Sequence, residues 1–375
     1  MPGALTRWLS ARRPARAVGL FRIGVGLAVV ARGIKTCRDL YLLGHDPTVV
    51  PARMLDWVPR IDTPLQIAVV TAVWMLAATG LTLGIRSRSC AGVLCAMSIA
   101  LHLVDQNLWG HHVYFMTLVL LLMTMADTGA SLSWRWLADG RPERDVEAWP
   151  LWLVQVQLTL AYLFTAVAKL NPAYLDGEVL QRAMALPGAW VWLTPWIAVL
   201  ALGAEFFIGV ALWVPALRPW AFLAGLVLHG LVPVLMGPYA GLVVFTILVW
   251  SVYLLFLDAP PQSRLVVWDD TCGFCRGWVR WLRSLDWLHV HRFEGSSRAE
   301  VLAEADVSAE EASEEIKVRV GTRTLGGFAA IVAILELLPV GFLWARALTL
   351  PPVSWLGAAA YRRVAQQRHC LLPQR

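Results

Sequence analysis

Up to about residue 258 the chain reads as long apolar blocks with short polar breaks; from residue 264 it alternates short apolar runs with amphipathic and acidic stretches. A helix needs about 20 mainly apolar residues to cross a bilayer. That ruler finds about eight blocks, near 17–34, 64–85, 88–105, 108–126, 150–169, 190–214, 219–236 and 239–257. They are broken at Pro64, 86–88, 105–112, 127–147, Asn171-Pro172, Arg218-Pro219 and Gly237-Pro238. The pattern predicts a polytopic α-helical membrane bundle of about eight spans over residues 1–258. Beyond it come an apolar strand at 265–268, a helix to about 285, a strand-like run at 288–293 and acidic helical sequence to 315. A strand at 316–320, a turn at Gly321 and a helix from about 327 to 338 follow, which predicts a small α/β domain over 262–375.

Composition sharpens this picture. The 375 residues are 58% hydrophobic and 15% charged, against about 45–50% and about 25% in soluble domains. A purely soluble enzyme is excluded. The net charge of +6 comes from Arg placed mostly at block ends, with no basic run interleaved with aromatics, so no nucleic-acid partner is expected. Trp57, Trp109, Trp149, Trp152, Trp190 and Trp220 mark the same ends, as rings seated among lipid headgroups do. Arg7, Arg12, Arg13, Arg16, Arg86, Arg88, Arg135, Arg141, Arg144 and Arg218 fall in one set of loops; Lys35, Arg38, Arg53, Arg60 and Arg182 fall in the other. The positive-inside bias therefore predicts a cytoplasmic N-terminus and, with eight spans, a cytoplasmic C-terminus in an integral multi-pass protein surrounded by membrane lipids. The basic first residues run on into an apolar segment without an A-x-A-like cleavage site, so that segment reads as a retained helix.

Polar groups inside a bilayer are functional candidates by default. In the fifth block Gln155, Thr159, Tyr162, Thr165 and Lys169 recur at steps of four, three, three and four, on one helical face. Lys169, at the outer end of that stripe, is either a snorkelling anchor or a base. Only three of the 32 basic residues are Lys, and an Arg could not shed its proton. His112 and His229, in the fourth and seventh blocks, are expected near the level of Lys169, each being a structural histidine or a catalytic one. Glu205 and Arg22 read as bundle contacts, Cys90 and Cys95 as packing residues, and no cluster in this half has metal-ligand spacing.

Several local matches now gain meaning together: Leu20-Phe21-Arg22-Ile23, His111-His112-Val113-Tyr114, Ala161-Tyr162 through Ala168-Lys169-Leu170-Asn171 to Leu175-Asp176-Gly177, and His229 followed by Met236-Gly237-Pro238-Tyr239. In order and spacing, residues 15–255 resemble the horizontally transferred transmembrane domain, whose best-known member is the vitamin K-dependent gamma-carboxylase. The resemblance implies that Lys169 is a base deprotonating a quinol, assisted by His112, with His229, Tyr162 and Tyr114 on the substrate. Where the carboxylase has two adjacent lysines this chain has Ala168-Lys169, and no counterpart of its large lumenal portion is seen. The site is therefore carried over more readily than the substrate: a quinol or similar lipid-soluble molecule is expected rather than glutamate carboxylation.

Of the six cysteines, Cys272 and Cys275 alone have chemically suggestive spacing, and no disulfide framework is expected. A strand, then Cys-x-x-Cys, then a helix is thioredoxin-like order. The helix N-terminus favours the thiolate of the first cysteine and places the second one turn along to resolve a mixed disulfide. A zinc half-site completed by His289 and His291 and a pair of inert thiols are the competing readings. Together with Gly326-Gly327-Phe328-Ala329-Ala330, Leu337-Leu338-Pro339, Leu350-Pro351-Pro352 and Tyr361-Arg362-Arg363, the sequence Asp269-x-x-Cys272-x-x-Cys275 resembles the DCC family of thiol-disulfide oxidoreductases over roughly 264–370. That family usually has Tyr-Asp-Gly where this chain has Trp268-Asp269-Asp270, so Asp270 must make a turn normally left to Gly. The resemblance implies a redox-active Cys272–Cys275 disulfide, a protein thiol or disulfide partner, no metal, and Asp269 as proton acceptor or helix cap.

The expected whole is a membrane-bound oxidoreductase with a dithiol centre and a quinol site using a lysine base. The alternative is a transporter or membrane scaffold with a redox-sensing cytoplasmic domain, for which the sequence offers no inverted repeat.

Overall fold

The computed structural model describes residues 3, 6, 9–46, 48–50, 52, 55, 57–139, 144–184, 188–237, 240–257, 263–338 and 341–371. The chain divides into two compact units, Met1–Phe256 and Leu257–Arg375.

Each of the eight apolar blocks forms a helix: α1 (Ala15–His45), α2 (Pro64–Leu83), α3 (Ser87–Val104), α4 (His111–Met125), α5 (Trp149–Ala168), α6 (Thr194–Ala211), α7 (Arg218–Leu235) and α8 (Ala240–Tyr253). Among the described residues six segments are long and apolar enough to cross a membrane; α4 and Gly241–Phe256 are apolar but shorter. This is a multi-pass membrane bundle. α1 outruns its apolar block by three turns, so Lys35 and Arg38, expected in a loop, lie on the helix. Asp39 sustains the extension, receiving Lys35 Nζ at 2.6 Å one turn away and facing Arg32 Nη1 at 3.7 Å.

α1 packs against both α2 and α8. Between membrane helices, where burial from water gives no drive, small residues that let backbones approach are the usual solution. A Cβ at Gly26 would lie 2.8 Å from the Thr82 Cα, and one at Gly33 would meet the Trp74 ring. Trp74 is thereby laid flat enough for its Nε1 to donate to the Val29 carbonyl at 2.9 Å.

The connections gather at two ends. At one, Arg12–Arg13 pairs antiparallel with Val146–Glu147, and Arg13 Nη2 donates to the Leu255 carbonyl at 2.6 Å. There too Arg22, fully buried, donates to the carbonyls of Thr128, Ser131 and Leu132 at 2.8, 3.0 and 2.7 Å. At the other end Arg32 Nη2 donates to the Leu108 carbonyl at 2.8 Å, and Asp105 Oδ2 accepts the Ala52 N–H at 3.1 Å. Arg22 is the bundle contact its sequence position suggested.

The second unit is built on β1 (Arg264–Trp268), α9 (Gly273–Leu285), β2 (His291–Gly295), α10 (Ala299–Ala305), α11 (Ala309–Glu314), β3 (Lys317–Val320), β4 (Arg323–Gly326) and α12 (Gly327–Leu337). Two further helices, α13 (Phe342–Leu348) and α14 (Val353–Leu371), follow. The sheet order is β2-β1-β3-β4, with β1 parallel to β2 and antiparallel to β3, and β3 and β4 forming a hairpin. That is the βαβαββα plan of a thioredoxin-like domain. β1 is central, so its run is apolar on both faces. Val266 packs with Val279, Leu282, Phe293, Ala330 and Ile334 on one face, while Leu265 and Val267 pack with Val301, Ala305 and Ala312 on the other. The hairpin strand β4 was not anticipated, and the run expected at 288–293 pairs only from His291 onward. His289, at φ 50°, turns the chain before it.

Gly26→Val in the full chain in detergent is expected to wedge α1 from α2, costing about 1–3 kcal/mol as overpacked cores do. Gly203, in α6, has open space where a Cβ would go, and Gly203→Ala is expected to be neutral or stabilising by about 1 kcal/mol. Thermal unfolding midpoints of the two variants check the contrast.

Candidate functional site

The polar stripe of α5 faces inward only in part. Gln155 and Tyr162 are buried, Thr159 and Lys169 are half-buried, and Thr165 is exposed, its hydroxyl returned to the carbonyls of Ala161 and Tyr162. Gln155 Nε2 donates to the Leu255 carbonyl at 2.9 Å, and Thr159 Oγ1 accepts from Trp213 Nε1 at 2.7 Å. One turn further, the Tyr162 hydroxyl lies 2.6 Å from His229 Nε2 and 2.5 Å from the Tyr253 hydroxyl. α7 admits Tyr253 because Gly225 stands opposite it, where a Cβ would strike the phenol. His229 is fixed through its backbone, its carbonyl accepting from Thr246 Oγ1 at 2.9 Å.

Lys169 sits just beyond the last turn of α5, its side chain 26% exposed, and is ion-paired with Glu205 Oε1 of α6. Its ammonium also lies 5.4 Å from the centre of the Tyr174 ring. Glu205 Oε2 is buried with no hydrogen-bond partner among the described residues. Burial, and then the Glu205 carboxylate, push the Tyr174 phenol up to about 12, so it holds its proton at neutral pH.

Of the residues expected together, the structure joins Tyr162 to His229, and it sets Lys169 beside Glu205. Among the described residues no hydrogen bond or ion pair joins His112 to them. The His112 ring packs against Gly110 and Gly241. Tyr114 is 52% exposed on α4. The sequence reading missed Tyr253 as a third member of the buried triad and Glu205 as the partner of Lys169. A lone carboxylate at mid-span was the signal for the second.

In the other unit the strand-to-helix turn after β1 carries Asp269, Cys272 and Cys275. Asp269 is buried and its Oδ1 accepts the Thr271 N–H at 3.1 Å and hydroxyl at 2.6 Å, an Asx turn that starts the bend. Cys272 is the N-cap of α9, its Sγ accepting the Cys275 N–H at 3.3 Å. Both cysteines stand as thiols, Cys272 buried at 2% and Cys275 half-exposed. Asp270 closes the turn without a left-handed backbone. Its Oδ1 accepts the Ser297 N–H at 3.2 Å and hydroxyl at 2.7 Å, and the glycine this demands is Gly295, where a Cβ would collide with that carboxylate.

The ligand atoms of Asp269, Cys272 and Cys275 lie within 4.8 Å of one another, one short of the four a structural zinc site uses. His291 does not join them; it is buried at the far end of α9, with Nδ1 3.6 Å from Asp286 Oδ2. The geometry is that of a dithiol held at a helix N-terminus.

The family model for the HTTM domain matches residues 12–254. The chain belongs to the HTTM domain family. Residues 266–373 match the DCC1-like thiol-disulfide oxidoreductase family, so a carboxylase-like membrane domain is fused to a thiol-disulfide domain. No curated protein and no solved structure matches the chain. The combination supports a membrane redox role, with Cys272 and Cys275 as the close thiol pair.

Asp286 fixes the corner that returns α9 to the sheet, accepting the N–H groups of Val290 and His291 at 3.0 Å each. Burial opposes its ionisation, but the His291 ring and those two N–H groups outweigh it and hold the carboxyl below its ordinary 3.8. A carboxylate whose folded value is depressed stabilises in full above the ordinary value and loses that contribution as pH falls through the folded one. Denaturant midpoints of the second unit, read by hydrogen exchange of β2 in the full chain, are expected to drop below pH 3.8. In Asp286→Asn this component of the drop is expected to vanish.

Proposed function

We propose that this protein is a membrane-embedded thiol-disulfide oxidoreductase whose bundle carries a second, proton-handling centre for a lipid-soluble quinol. The capped turn at Cys272 carries the first part of the reading: two thiols one helical turn apart, beside a buried carboxylate, in a domain of the matching family. Two such thiols exchange with a protein disulfide by forming and then resolving a mixed disulfide, becoming joined as two electrons pass to the partner.

The second part is supported by the Lys169–Glu205 pair and the adjoining triad. In this reading the Lys169 amine is the base, held in place by the Glu205 carboxylate with which it pairs. A quinol hydroxyl gives its proton to that amine, Tyr174 keeps its own proton as a donor to the oxygen, and His229 with Tyr162 orients the ring. His112 enters this reading only as an assisting group, its ring packed against Gly110 and Gly241. The orientation is read from charge: Arg12, Arg13, Arg88 and the loop before α5 gather at the bundle end taken as cytoplasmic.

Redox titration of the full chain against glutathione buffers is expected to give one reversible two-electron couple, absent from Cys272→Ser and from Cys275→Ser alike. A couple that persists in either variant removes the dithiol role. Consumption of a quinol in air, with dissolved dioxygen as the two-electron oxidant, is expected to fall at least about 100-fold in Lys169→Met/Glu205→Gln, the scale of a lost general base; that variant leaves neither charge stranded. Equal turnover by the double variant removes Lys169 from the chemistry.

A further inference from the structure

The thioredoxin-like order assigns attack to the first cysteine, yet here the exposures run the other way. Cys272 is 2% exposed and its Sγ is engaged by the Cys275 N–H. Cys275 is half-exposed and lines a cavity of about 370 Å³ in which Cys272 takes no part. That volume lies in the range of small-molecule pockets, about 300–1,000 Å³.

The cavity runs between α9, α12 and α14, and its walls are apolar and aromatic: Trp268, Phe274, Trp278, Phe328 and Tyr361. Gly357 lets α14 close over it, since a Cβ there would enter the Phe328 ring. Among the described residues Asp269 is the one carboxylate in the lining. Aromatic walls favour a planar apolar group, and a buried carboxylate disfavours an anion.

Resting on the oxidoreductase reading above, we infer that Cys275 is the sulfur that meets substrate, that Cys272 resolves, and that the cavity selects disulfides carrying an uncharged aromatic or bulky apolar group. The Cys275 thiolate attacks one sulfur of the substrate disulfide, forming a mixed disulfide and expelling the first thiolate. The Cys272 thiolate then attacks Cys275 Sγ, forming the Cys272–Cys275 disulfide and expelling the second thiolate. The protein dithiol loses two electrons, the substrate disulfide gains them, and the two thiol protons end on the two product thiols. Burial suits Cys272 to this second step, because its target is the neighbouring sulfur rather than a molecule arriving from outside.

The full chain, reduced, is treated with dithiodipyridine, which is neutral and aromatic, and with cystamine, which is cationic and aliphatic. Cys272→Ser is expected to trap the aromatic thiol on Cys275, and Cys275→Ser to react at Cys272 more slowly by about tenfold or more. Brief alkylation of the unsubstituted reduced chain, mapped by mass spectrometry, is expected to label Cys275 before Cys272, which guards against misfolding of either variant. Ala360→Phe, which projects a ring into the cavity, is expected to lower the ratio of dithiodipyridine to cystamine rates about tenfold. Trapping or first labelling at Cys272 overturns the assignment while leaving the oxidoreductase reading intact, and a ratio unmoved by Ala360→Phe overturns the selectivity. Failure of the unsubstituted chain to reduce either disulfide overturns the oxidoreductase reading, and the assignment with it.

Discussion

A polar atom in an apolar interior must find a partner within the protein, because neither lipid nor a dry core supplies one. In the membrane unit this requirement decides which helices meet. The Arg22 guanidinium reaches three carbonyls of the segment after α4 and so pins that segment to α1. Gln155 reaches the end of α8, Trp213 reaches Thr159 across from α6, and Tyr162 joins α5 to both α7 and α8. Each contact ties a helix to another helix or to the segment that follows one, so the bonds that satisfy these polar groups also set helix register. The small residues of α1 complete the arrangement by bringing backbones close enough for such bonds to form.

The same requirement explains why the Lys169–Glu205 pair stands out. Many polar groups of the bundle spend their bonds on backbone carbonyls or on one another, while others, Gln155 Oε1 and Trp250 Nε1 among them, are buried without a hydrogen-bond partner among the described residues. Here two ionisable side chains meet at the rim of α5 and α6, with one carboxylate oxygen left without a hydrogen-bond partner among the described residues. Structural pairs are normally satisfied on both sides. The Glu205 carboxylate thus keeps spare acceptor capacity next to a phenol that holds its proton.

In the thiol-disulfide unit the determining element is the central strand. With β1 apolar on both faces and flanked by β2 and β3, its C-terminal end is fixed from both sides. The turn that follows is then held by Asp269 on Thr271 and by Asp270 on Ser297, so two adjacent carboxylates do different work. Asp269 shapes the thiol turn, and Asp270 ties it to the neighbouring loop through the gap left by Gly295. Loss of Gly after Asp269 is thereby compensated on another strand, which no reading of the local motif would reveal.

Helical periodicity and block length made all eight bundle helices, the shared face of Gln155, Tyr162 and Lys169, and the strand–Cys-x-x-Cys–helix order legible in the linear chain, because these depend on residues close in sequence. Partnerships were a different matter. Level in the membrane is readable from position along a helix, but azimuth is set by which helices pack together, so His112, expected at the level of Lys169, packs instead against Gly110 and Gly241. Tyr253 and Glu205 acquired their roles from α8 and α6 meeting α5, distances of 91 and 36 residues along the chain. The relative burial of Cys272 and Cys275 likewise arose from α12 and α14 folding beside α9, since spacing states that two thiols are neighbours and only packing states which of them faces outward.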